Sequence, residues 1–81
     1  MTVDVVAPIT GIVWKILVDT GDEVEVDQPL ILVESMKMEV STSSPATGVV
    51  VTILVKAGDA VEEGETLAIV DQKSKFTGRT A

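Results

Sequence analysis

With 81 residues the chain has room for one compact domain. A domain of this size buries only roughly 60% of its unfolded surface, so function belongs on the surface and not in an enclosed cavity. Cysteine and histidine are both absent, which excludes disulfides, thiolate nucleophiles, the usual zinc ligands and the commonest general base. Thirteen acids against six bases give a formal charge of -7, which disfavours nucleic acid and anionic membranes as partners and favours a basic protein surface.

The opening stretch, Met1 to Ala7, carries Asp4 and no basic segment ahead of its apolar positions. It therefore does not read as a secretory signal, and the expected compartment is the cytoplasm. Residues 3 to 7 form the first predicted strand, because Val and its β-branched relatives fit a pleated surface better than a helix. Further strands are predicted over 12 to 18, 23 to 26, 29 to 34, 38 to 43, 49 to 55, 60 to 63 and 66 to 70, and no stretch sustains a 3.6-residue apolar period. The run from Val49 to Val55 is far short of the ~20 apolar residues a membrane helix needs. Segments 12 to 18 and 49 to 55 are almost continuously apolar and are expected at the centre of the core, with Lys15 and Thr52 marking their solvated side.

The chain repeats itself. Val6 to Glu34 aligns without gaps on Ser43 to Asp71 at a constant offset of 37, matching Pro8 with Pro45, Gly11 with Gly48, Val13 with Val50, Gly21 with Gly58, Leu30 with Leu67 and Val33 with Val70. Glycines 11, 21, 48 and 58 are read as turn residues, since none lies in a phosphate-cradling pattern. The acids from 59 to 65 lack the spacing of a calcium loop and are read as a solvated edge. Trp14 aligns with Val51 and is read as ordinary packing, leaving an aliphatic, small core. Two copies of short strands in this rhythm suggest a sandwich or barrel.

The segment that interrupts the repeat is Glu34-Ser35-Met36-Lys37-Met38-Glu39-Val40. The strands entering it from either side, Pro29 to Glu34 and Met38 to Ser43, would pair as a hairpin with Lys37 near its tip. That tip lacks the Asn-Gly or Asp-Gly that a two-residue turn prefers, so something other than turn stability selects its residues. A lone loop lysine is usually a solvated charge. Two methionines beside it at an exposed tip are harder to explain that way, because methionine is common on surfaces that several partners must recognise.

These residues resemble the biotinyl domains of biotin-dependent carboxylases, whose attachment signature is a Met-Lys-Met triplet, usually preceded by Ala or Ser. Met36, Lys37 and Met38 match it, with Ser35 and Glu34 before them, and the resemblance extends from about Val3 to Asp71. It implies an all-β flattened barrel or sandwich of two four-stranded antiparallel sheets with an internal pseudo-twofold repeat. It also implies covalent biotin on Lys37, placed there by a biotin protein ligase, and carriage of carboxylate from a biotin carboxylase to a carboxyltransferase that serves an acceptor such as an acyl-CoA. Met36 and Met38 would be flanking recognition residues, and Glu34 and Glu39 would add charge complementarity or stand as solvated strand ends. On this reading the chain is a non-catalytic carrier, monomeric when alone. The nearest alternatives are a lipoyl domain, which typically shows Asp-Lys-Ala at the tip, and a dual acceptor of biotin and lipoate.

Domain boundaries follow from the repeat, with residues 1 to 71 as the carrier domain. Residues 72 to 81 fall outside it, carry three bases with Phe76 as their one large apolar side chain, and are expected to form a flexible tail.

Overall fold

The computed structural model describes residues 1–36 and 38–73; Lys37 and residues 74–81 lie outside the described set. Eight strands follow in order: β1 Thr2–Val6, β2 Gly11–Ile16, β3 Glu23–Val24, β4 Pro29–Ser35, β5 Met38–Ser43, β6 Gly48–Ile53, β7 Ala60–Val61 and β8 Thr66–Gln72. They form two four-stranded antiparallel sheets, ordered β1-β8-β6-β3 and β5-β4-β2-β7, and no helix occurs among the described residues. The offset of 37 carries each strand of the first sheet onto one of the second. Each sheet therefore mixes strands from both copies, so neither copy completes a sheet on its own.

The hydrogen bonds repeat as well. Asp27 donates its N–H to Ser44 and Gly64 to Ala7, while Val26 donates to the Thr47 hydroxyl and Glu63 to that of Thr10. The acids at the turns act locally, with Asp22 Oδ2 accepting from the Asp19 N–H and Asp59 Oδ2 from that of Lys56, both at 2.9 Å. Gln28 and Glu65 do the same for the N–H groups of Glu25 and Glu62. Such side-chain acceptors satisfy turn backbone that has no ladder partner.

Val5, Val13, Leu30, Ile31, Val33, Val50, Leu67 and Val70 are completely buried between the sheets, and the core is aliphatic, as expected. Its centre is shared more widely than predicted, since Val13, Val18, Val50 and Val55 of the two expected segments are joined by residues of the neighbouring strands. The segments expected as strands 12 to 18 and 49 to 55 end as strands at Ile16 and Ile53, and β4 and β8 supply more of the buried side chains. The reason is a pair of bulges. In β2 the register jumps between Val13 and Lys15, and in β6 between Val50 and Thr52, so Trp14 and Val51 are extra residues without a partner in the neighbouring strand. A bulge breaks the in-out alternation. Ile12, Trp14 and Leu17 face solvent on one strand segment, and Val51 and Leu54 on its twin. Trp14 is thus 42% exposed and Val51 45%, which corrects the reading of Trp14 as core packing. Lys15 is exposed, whereas Thr52 is half-buried.

Gly21 and Gly58 do occupy turns, with φ of 94° and 100°. Gly11 and Gly48 do not: they begin β2 and β6, where a Cβ would overlap the carbonyls of Glu34 and Asp71. Close approach of two backbones, and not turn conformation, requires glycine there. At the far end of the chain, β8 continues through Gln72, and Lys73 donates its N–H to Thr47 and pairs with Glu23 at 3.5 Å. The first two residues of the expected tail therefore belong with the sheet, and the expected flexibility of the remainder falls outside the described residues.

Candidate functional site

The hairpin predicted around residue 37 is present. β4 and β5 pair from Pro29 opposite Ser43 to Ser35 opposite Met38, which leaves positions 36 and 37 for the turn. Met36 has φ of 53°, the left-handed conformation that the first position of a primed hairpin turn demands. Asparagine or glycine fills such a place at little cost, whereas methionine pays roughly 1 kcal/mol or more for its Cβ. Nothing packs against its side chain in return: Met36 is 94% exposed and Met38 is 61% exposed. Lys37 itself lies outside the described residues, so the structure gives the frame on either side of it.

Below the turn, Ser35 is half-buried opposite Met38. Glu34 and Glu39 come next, directly opposite each other and both exposed. Like charges facing each other across a ladder are mildly destabilising, and neither carboxylate has an ion-pair partner among the described residues. On its other side Glu34 pairs with Ile12 of β2, an exposed apolar residue, so Ile12 joins the same surface. Gly11, next to Ile12, allows β2 to lie against the Glu34 carbonyl and fixes the base of the hairpin.

The structure thus assembles Glu34, Ser35, Met36 and Met38 around one protruding turn, as the sequence suggested. Sequence reasoning missed Ile12 and Gly11. The bulge that turns this part of β2 outward is invisible in an apolar run, and a glycine required by close backbone approach reads in the sequence like a turn glycine. A groove lined by Glu23, Val24, Glu25, Gln28, Gly48 and Lys73 lies on the other sheet. The exposed hairpin suits a group held out from the protein on a covalent tether.

Comparison with known proteins adds chemistry to this frame. The biotin/lipoyl family model, described as biotin-requiring enzyme, matches residues 1–70. A biotin carboxyl carrier protein of Streptococcus mutans is 52% identical over 33 residues, covering 41% of this chain and 25% of its own. The biotin carboxyl carrier protein of acetyl-CoA carboxylase from Solanum lycopersicum is 49% identical over 35 residues, covering 43% of this chain and 50% of its own. Among solved structures, urea carboxylase of Kluyveromyces lactis superposes with a TM-score of 0.83 at 34% identity, over 88% of this chain and 6% of that one. A single-chain, multi-domain long-chain acyl-CoA carboxylase superposes at 0.81 over 94% of this chain and 8% of its own, at 22% identity, a likeness of fold. The matches span from about a twentieth to a half of those proteins' lengths.

Proposed function

The chain belongs to the biotin/lipoyl attachment family as a biotinyl domain whose cofactor is covalently attached biotin, and on that premise we propose that Lys37 bears it in a carboxyl carrier. The observation that carries this reading is the Ser35–Met38 closure of β4 on β5, which confines the turn to positions 36 and 37 and holds the methionine side chains in solvent.

The residues fit the group. Loading requires the Lys37 amine to reach an activated carboxyl carbon inside a biotin protein ligase, and a two-residue turn at the end of a rigid hairpin is a shape that can enter such a site. The amine attacks the mixed anhydride of biotinyl-adenylate, an amide forms, and adenylate and a proton leave. The amine must be deprotonated to attack, and that deprotonation falls to the ligase. Met36 and Met38 present apolar contacts on either side of position 37 in the chain, with Ser35 as the small residue that closes the ladder and Glu34 as a charged contact beneath it. Once bound, biotin supplies a ureido ring that accepts a carboxyl group at one active site and yields it at another. The domain's own contribution is tethering, which raises the effective concentration of the ring at both sites.

The partners on this reading are the ligase, a biotin carboxylase and a carboxyltransferase, none of which requires catalysis by the chain itself. The acceptor is an acyl-CoA, supported by the name of the Solanum lycopersicum relative. Urea is the competing choice suggested by the Kluyveromyces lactis neighbour.

The test is intact mass of the chain and of Lys37→Arg after incubation with biotin, ATP and a biotin protein ligase, with lipoate and its ligase in parallel. One biotinyl addition to the parent and none to the variant is the expected result. Absence of biotin from a folded parent, or addition of lipoyl alone, would overturn it. Supplying the loaded chain to acyl-CoA and urea carboxylase components then separates the two acceptors.

A further inference from the structure

The chain has three methionines and no cysteine, so thioethers are its softest nucleophiles. None of them belongs to the buried core: Met1 is 88% exposed, and Met36 and Met38 flank position 37 on the hairpin. The repeat shows that the fold asks for no apolar side chain at position 36, while Met38 falls on Met1, which is likewise exposed. At the offset of 37, Lys73 stands where Met36 does, just past the end of β8, where its N–H donates to the Thr47 carbonyl and its ammonium pairs with Glu23. Chemistry at Met36 and Met38 can therefore change the surface around the acceptor while leaving the sheets alone. The uncompensated left-handed backbone of Met36 is a second sign that this side chain is kept for what it presents.

We propose that Met36 and Met38 are a reversible oxidation site through which a hydroperoxide slows modification of Lys37; the proposal rests on Lys37 being the biotin acceptor. In the step, a thioether sulfur attacks the distal oxygen of the hydroperoxide, the O–O bond breaks, an S–O bond forms, and water or an alcohol departs. Sulfur is oxidised by two electrons and the peroxide is reduced by two. Each product is a sulfoxide, polar where the thioether was apolar, and a thiol-dependent sulfoxide reductase reverses it. A ligase surface shaped to two thioethers must then desolvate two strong dipoles for which it offers no donors. Oxidation at Met1 is an internal control, because Met1 pairs in the other sheet beside Gln72 and not beside the hairpin.

The experiment uses the full chain. Hydrogen peroxide is added until intact mass and peptide mapping show sulfoxide at Met36 and Met38, unchanged thermal unfolding establishes that the fold persists, and biotin loading is then timed by mass. The expected result is a loading rate lower by roughly tenfold or more, the scale set by burying unpaired polar groups, with recovery after sulfoxide reductase treatment. In a Met36→Leu, Met38→Leu variant, peroxide should oxidise Met1 only and leave that variant's own rate unaltered. A fully oxidised, folded chain that loads as fast as the reduced one overturns the proposal. A reduced chain that takes no biotin overturns the acceptor assignment itself, a distinguishable failure.

Discussion

Gln72 donates its backbone N–H to the carbonyl of Met1 at 2.7 Å, and the offset of 37 makes this pair the counterpart of Ser35 and Met38. In one sheet the paired strands are joined by the two-residue turn; in the other, the same place is held without that turn, by a ladder bond and by the Met1 amino group on Asp71 at 3.1 Å. The architecture therefore does not dictate the turn's side chains. Stability and function can be pulled apart there.

Met36→Gly should make that separation measurable. Glycine removes the penalty of a left-handed Cβ, and the unfolding free energy should rise by about 1 kcal/mol. Biotin loading should slow at the same time, since one of the two apolar contacts beside Lys37 is gone. Urea unfolding and timed intact mass check the two halves. A variant that gains no stability would show that Met36 is not strained.

Thr42 offers a second test within the core. Its hydroxyl is buried and has no hydrogen-bond partner, while its counterpart in the repeat is the fully buried Val5. Thr42→Val places an isosteric methyl where the orphaned oxygen was and should stabilise the domain by about 1 kcal/mol, whereas Val5→Thr should cost about 1–3 kcal/mol. Chemical denaturation of both variants decides the sign. Equal effects in one direction would contradict the asymmetry.

Trp14 and Val51 occupy equivalent bulges and are similarly exposed, so Trp14→Val should change the unfolding free energy by less than about 1 kcal/mol. A loss of several kcal/mol, as for a core aromatic, would mean that the side chain packs after all. Thermal unfolding followed by circular dichroism is the appropriate probe, because this substitution removes the chain's one tryptophan.

The bulges also mark where sequence reasoning stopped. Turn positions and the hairpin were readable because an ungapped repeat fixes equivalences that single-strand patterns leave open, and Met36, Lys37 and Met38 stood out by breaking it. Val13, Trp14 and Lys15 look like one continuous strand in composition, yet an extra residue reverses which side faces the core, and no residue type announces it. Gly11 was legible as a constraint but not as the correct one, since a glycine at φ > 0 and a glycine under a neighbouring carbonyl look alike in a sequence. The left-handed Met36 was unreadable on propensity, because propensity argues against it.

Gly11 and Gly48 allow the site to be separated from the fold by matched damage. A methyl group at either would overlap a backbone carbonyl, of Glu34 in one case and Asp71 in the other, and backbone cannot yield as a flexible side chain does. Gly11→Ala and Gly48→Ala should each therefore destabilise the domain by about 1–3 kcal/mol or more. Only the first moves the strand that carries the hairpin, since Glu34 is one residue from the Ser35–Met38 closure. At a temperature where both variants remain folded, Gly11→Ala should load biotin more slowly than Gly48→Ala, even when their unfolding midpoints agree. Equal loading would mean that the ligase reads the tip alone and is indifferent to how the base of the hairpin is held.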